Sequence, residues 1–217
     1  MHVRTPVVTF ERCYFSTVDV QAGRDAVDAA LTLLAEQGFD ATSTAQIAEV
    51  TGIPADDVVH TLGTKEAIIL TIAEEMLGAV VKALAHIDPQ TPLIEALMSA
   101  HSTVLAEIIA DTGPVSLDRM RRMGKAITSS PDLQKKVAAQ RVEMLTGVLA
   151  DRFGAPATDR RVQSGLKLWS AVLAATYLDV LDRHGRFDPL VDEESPEYMR
   201  NRLNRAFRIV TGRGTRA

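Results

Sequence analysis

The chain has 217 residues, enough for one or two domains and for a core that needs no staple. Hydrophobic residues make up 46% and charged residues 24%, which excludes a chain disordered over most of its length. The net charge of −4 is unevenly placed: residues 1–66 carry Arg4, Arg12, Arg24 and Lys65 against ten acidic side chains, a net of −6, which leaves +2 for the rest.

A single cysteine, Cys13, rules out an intrachain disulfide and fits a reducing compartment. The longest strongly apolar run, Leu168 to Leu178, contains Trp169, Ser170 and Thr176 and is too short to span a bilayer, which takes about 20 residues. The first residues lack the apolar stretch and cleavage site of a signal peptide, so a cytoplasmic protein without a membrane partner is expected. Alanine, the best helix former, occurs 29 times, against ten aromatic residues, which favour strands.

Residues 1–18 mix Val, Thr, Phe, Tyr and Arg without helical spacing and read as an arm or an upstream extension. The first helix is expected over 20–37, where Val27, Ala30, Leu31 and Leu34 repeat at i, i+3, i+4, i+7. Gly38 supplies its left-handed stop. Thr42 and Ser43 are N-caps for a short second helix that buries Ile47 and Val50 and breaks at Thr51-Gly52. Pro54 opens a third short helix, where its missing N–H costs nothing; that helix buries Val58 and Leu62 and stops at Gly63. Thr64 caps a long fourth helix from Lys65 to Ile87, with a stripe of Ile69, Ile72, Met76, Val80, Ala83 and Ile87. Pro89 and Pro92 end it. Further helices are expected at 92–111, 115–129, 131–153, 158–184 and 196–211, punctuated by Gly113-Pro114, Ser130-Pro131, Gly154 to Pro156 and the Gly185 to Ser195 stretch. Nine helices and no convincing strand predict an all-α protein.

Two short helices joined by a tight glycine turn, after one longer helix, form a helix-turn-helix unit: the second short helix is presented to the major groove while the first braces it over the backbone. The stretch Ala29-Ala30-Leu31, Gly38 to Thr44, Ile47-Ala48-Glu49, Gly52-Ile53 and Thr64 to Ile68 resembles the DNA-binding domain of the TetR family of transcriptional regulators, over Arg24 to Leu70 without a gap. The resemblance implies an N-terminal helix-turn-helix domain over 19–66 and a C-terminal helical ligand-binding and dimerisation bundle over 67–217. It also implies a homodimer on double-stranded operator DNA. The positions that would meet DNA are Thr42, Ser43, Ala55, Asp56, Val59, His60 and Lys65. More loosely, Leu117-Asp118-Arg119, Ser130 to Leu133 and Leu149 to Gly154 resemble the subgroup associated with acyl-CoA-like ligands and mycofactocin gene clusters.

The third helix departs from the family pattern. It reads Pro54-Ala55-Asp56-Asp57-Val58-Val59-His60, with Val59 where a tyrosine is usual and proline where a serine cap is usual. Asp56 and Asp57 suit the helix dipole but oppose the phosphates that wall the major groove, although aspartate can accept from a cytosine amino group. Between Thr17 and Glu66 only Arg24 and Lys65 are basic, against nine acids.

Met98, His101 and Leu105 share a face of the fifth helix, and Trp169, Leu173, Thr176 and Tyr177 share one of the eighth. Both read as core packing or as the wall of a cavity. With Met120 and Met144, which are adaptable side chains, Met98, His101, Leu105, Trp169, Leu173 and Tyr177 are the candidate lining for a small apolar or amphipathic effector. Arg119, Arg121 and Arg122 read as a solvated face or as counter-charge to an anionic ligand. Arg200, Arg202, Arg205 and Arg208 read as a nucleic-acid patch, or as ion-pair partners of Asp179 and Asp182. Ala171, Ala174 and Ala175, with Leu203, Phe207 and Val210, are expected at a dimer interface. No phosphate loop, zinc motif or nucleophile elbow occurs, so neither an enzyme nor a cofactor is expected. The expected function is a one-component repressor released by its effector; the alternative is a protein of the same fold that binds ligand or protein without touching DNA.

Overall fold

The computed structural model describes residues 17–178 and 196–212. Among them are nine α-helices and no strand, in the expected order. They are α1 (Thr17–Gln37), α2 (Thr44–Thr51), α3 (Ala55–Leu62), α4 (Lys65–Ala85), α5 (Leu93–Ile109), α6 (Leu117–Thr128), α7 (Pro131–Phe153), α8 (Arg160–Leu178) and α9 (Pro196–Thr211). The expected continuation of the eighth helix to 184, most of the arm over 1–18, and Asp179 and Asp182 lie outside the described residues, as do the side chains of Tyr177 and Arg200.

Local chemistry sets the boundaries. Ser43 and Gln46 form a reciprocal capping box at the start of α2, which satisfies two otherwise orphaned N–H groups. Gly52 ends α2 in the left-handed region, where a Cβ would be strained. The Thr64 side chain accepts from the amide of Ala67 and starts α4. Ser116 and Ser130 do the same for α6 and α7. At the other end of α7, the guanidinium of Arg152 donates to the carbonyls of Ile87, Asp88 and Thr91, so it closes the turn between α4 and α5.

Helices α1 to α3 form a small three-helix head. Helix α4 starts in the head and runs without a break into the body, where it packs against α5, α6 and α7. The expected boundary at 66/67 therefore falls inside its first turn. Helix α8 lies against α5, α7 and α9, and α6 lies along α1. The buried apolar residues make one continuous core, from Leu31, Phe39, Ile47 and Val58 in the head, through Ile69 and Leu84 on α4, to Leu97, Leu149 and Trp169 in the body. Val50, expected inside, is 46% exposed; α2 has only a narrow buried side, centred on Ile47. The connection from α5 to α6 folds back so tightly that a Cβ at Gly113 would come within 2.7 Å of the backbone nitrogen of Ile108. Only glycine fits there without moving the chain.

Candidate functional site

The outward side of the head is built by α2, the Gly52 turn and α3. Val58 anchors α3 inward at 2% exposure, whereas Val59 is 53% exposed. Asp56, Asp57 and His60 are exposed as well, with Pro54, Ala55 and Thr61. Pro54 gives α3 no side-chain cap; its carbonyl accepts from the amides of Asp57 and Val58 instead. The two aspartates lie in the first turn, where the helix N-terminus favours negative charge. Val50 and Glu49 extend the exposed surface along α2. The face that the fold presents is thus acidic and apolar.

Two of the residues expected to meet DNA are held inside the head. Thr42 is 2% exposed, and its hydroxyl donates to the carbonyl of Gly38, so it braces the turn into α2. Lys65 folds over the ring of Phe39, 4.5 Å from the centroid. Its Nζ donates to the carbonyls of Phe39 at 2.7 Å and Thr42 at 3.0 Å. One N–H of the ammonium remains for an outside acceptor. Ser43 is exposed, but its hydroxyl belongs to the capping box.

The family comparison falls on this head. Residues 26–72 match the family described as "Bacterial regulatory proteins, tetR family". The match spans the head and the start of α4, about a fifth of the chain, and is a likeness of that part. No curated protein sequence matches the chain. Among solved structures, the chain is 23% identical to the multidrug binding protein EbrR, complexed with imidazole, over 85% of this chain and 93% of that one, with a TM-score of 0.45. It is 22% identical to the TetR family transcriptional regulator PfmR from Thermus thermophilus, over 94% of this chain and 99% of that one, with a TM-score of 0.44. At these identities and scores the solved structures carry no argument, and the likeness to the family rests on the N-terminal match.

The head is fastened to the body by polar contacts that no local pattern announces. The amide of Phe39 donates to the hydroxyl of Ser129 at 2.8 Å, and the hydroxyl of Ser130 donates to Asp40 at 2.9 Å. Arg119 pairs with Asp28 at 2.6 Å, and Arg122 donates to the hydroxyl of Thr32 at 2.7 Å while pairing with Asp118. Two arginines of the cluster on α6 therefore clamp α1. Asp28 and Arg119 of this clamp line a groove of about 650 Å³ between α1, α4 and the turn before α6, together with Val27, Ile68, Ile72 and Val115 and the exposed Arg24 and Glu75.

In the body, the structure brings most of the expected ligand-lining residues onto facing helices. Met98, His101 and Leu105 lie on α5, Met144 on α7, and Trp169 and Leu173 on α8, which packs between them. Met120 belongs to α6, whose main neighbours are α1, α4 and α7. His101 and Trp169 are in ring contact, with centroids 4.5 Å apart and planes tilted by 52°. The Nδ1 of His101 is 2.9 Å from the carbonyl of Leu97, which can only accept, so Nδ1 carries the proton and neutral Nε2 is an acceptor. Burial pushes the imidazole down to about 4, and the charge of Arg141 adds to the effect, against the hydrogen bond to Leu97. Near neutral pH the ring is uncharged. At the far end, Arg202, 5% exposed, donates to the carbonyl of Thr176 and so neutralises the C-terminal end of α8. Arg205 and Arg208 are exposed.

Two measurements test these assignments. Lys65→Ala removes two charge-assisted hydrogen bonds and a cation–ring contact, so the head should lose about 2–3 kcal/mol in chemical unfolding; an unchanged midpoint would mean that the ammonium is not bound as described. For His101, the unfolded ring takes up a proton near 6.5 and the folded one only near 4. The folded state therefore loses stability as pH falls through that window, by up to about 3 kcal/mol. His101→Gln should flatten the stability-against-pH curve between those limits, and an unaltered slope would rule out His101 as its source.

Proposed function

We propose that the protein is a homodimeric transcriptional regulator of the tetR family that binds a palindromic operator through α3 and is released by a small effector held in the body. The observation that carries this reading is the head itself: a tetR-family helix-turn-helix whose second short helix stands outward on a capped, internally stapled frame. The clamp from α6 to α1 supports the second half of the reading, because a ligand that repacks the body would alter how the head is held. The effector must favour the state that does not bind DNA by its own differential affinity. Among the described residues no group of three or more His, Cys, Asp or Glu is placed to hold a metal ion. No helix among them is long and apolar enough to cross a membrane.

The second copy would dock along α8 and α9. The exposed stripe of α8 changes from Gln163, Ser164 and Lys167 to Ala171 and Ala174, small residues that allow another helix to approach closely. Leu203 is buried within the protomer and contributes to the core. Phe207 and Val210 keep part of their surface, and Ile209 is 66% exposed. Ala174→Arg should therefore give a monomer by light scattering; a dimer of unchanged mass would move the interface elsewhere.

One observation favours a second reading, in which the head contacts no DNA: Lys65 is turned inward, and the exposed face carries Glu49, Asp56 and Asp57 with no lysine or arginine on α2 or α3. An anisotropy titration on a selected palindromic duplex separates the two. Replacing both Asp56 and Asp57 with Asn should tighten binding by about five- to tenfold, through relief of phosphate repulsion. The dependence of affinity on salt should stay the same, because no cationic contact is added. If neither the wild type nor the double variant binds any duplex at about 50 mM salt, where phosphate contacts are strongest, operator binding is wrong.

A further inference from the structure

The centre of the body holds a polar group without a partner. Trp169 is 1% exposed, and its Nε1–H has no hydrogen-bond acceptor. An indole N–H is a donor only, and burying one unpaired is costly. Such groups are rare in folded proteins and ask for an explanation. Its neighbour in ring contact is His101, whose Nδ1 is fixed on the Leu97 carbonyl, which leaves Nε2 as an acceptor. His101 keeps part of its surface accessible. Met98 on α5 belongs to the same apolar core as Trp169, and Leu105 on α5 and Met144 on α7 pack against that core. Unbranched methionines can repack to admit an apolar body.

We propose that the Trp169 indole N–H is the polar anchor of the effector site, and that the effector is a mainly apolar molecule with one hydroxyl, carbonyl or carboxylate oxygen to accept from it. Where that oxygen carries a proton, His101 Nε2 is the group suited to receive it. Amines are disfavoured, because an ammonium could donate to His101 Nε2 but would leave the indole N–H without an acceptor. It would also enter beside the guanidinium of Arg141, which lies close enough to act on His101. The inference rests on the effector reading above, and narrows it to a chemical class and a contact atom.

The test uses the full chain, labelled with nitrogen-15, in which Trp169 is the sole tryptophan and gives one indole N–H resonance. Octanol, octanoate and octylamine serve as probes that share a tail and differ in the head. Octanol or octanoate should shift the resonance downfield and raise the melting temperature, and octylamine should do neither. Trp169→Phe, which keeps a ring and deletes the donor, should weaken octanol or octanoate binding about tenfold, the worth of one buried hydrogen bond. Equal binding of all three probes, or binding that leaves the resonance in place, would overturn the anchor while leaving an effector site standing elsewhere in the body. If none of the three probes binds, the assigned ligand class is wrong. If, in addition, a varied library of apolar compounds leaves both the melting temperature and the DNA affinity unchanged, the effector reading fails with it.

Discussion

The amide of Phe39 finds its acceptor ninety residues further along the chain, in the hydroxyl of Ser129, and the arrangement of the two halves depends on that junction. Gly38 ends α1 with positive φ and aims the next amide at α6. Ser129 in turn donates to Ala126, while Ser130 caps α7 and reaches Asp40. One turn between α6 and α7 thus ends one helix, starts another and holds the head. The arginines of α6 extend the seam along α1. Single exposed ion pairs contribute little, but this seam is partly buried and includes backbone groups, so it fixes orientation as much as it adds stability.

The same economy appears within the head. Lys65 serves as a bolt between the start of α4 and the loop before α2, joining residues that are 23 and 26 positions apart in the chain. With Thr42 folded onto Gly38, the loop that positions α2 is closed from both sides. Rigidity is obtained here by using polar groups that would otherwise face outward. The exposed side of the head is left with carboxylates and valines.

How much of this could be read from the amino-acid order follows from the range of each interaction. The helix frame was legible almost to the residue, because glycine stops, the Pro54 start and the Ser43 and Thr64 caps act within four residues of where they stand. The all-α class followed from the same signals. Thr42 and Lys65 were placed by their positions in a motif, and nothing near them in the chain reveals the Gly38 and Phe39 carbonyls to which they bind. Arg119 and Arg122 read as a surface cluster because their partners on α1 are about ninety positions away. The stripe containing His101 and Trp169 was legible as a face of two helices. Its contact geometry, and the unpaired indole N–H, depend on how α5 and α8 come together, which no spacing encodes.

The sign of the charge on the head bears on how such a protein would find one sequence among many. A regulator that slides along DNA needs a general attraction to phosphate, supplied by lysine and arginine on the sliding surface. Residues 17–66 have two cations against nine acids, and one of the two is bound internally. An operator-binding protein of this kind would spend little time on unrelated DNA. It would reach its site by collision from solution and hold it through base contacts once there, so few copies would be lost to the rest of the chromosome.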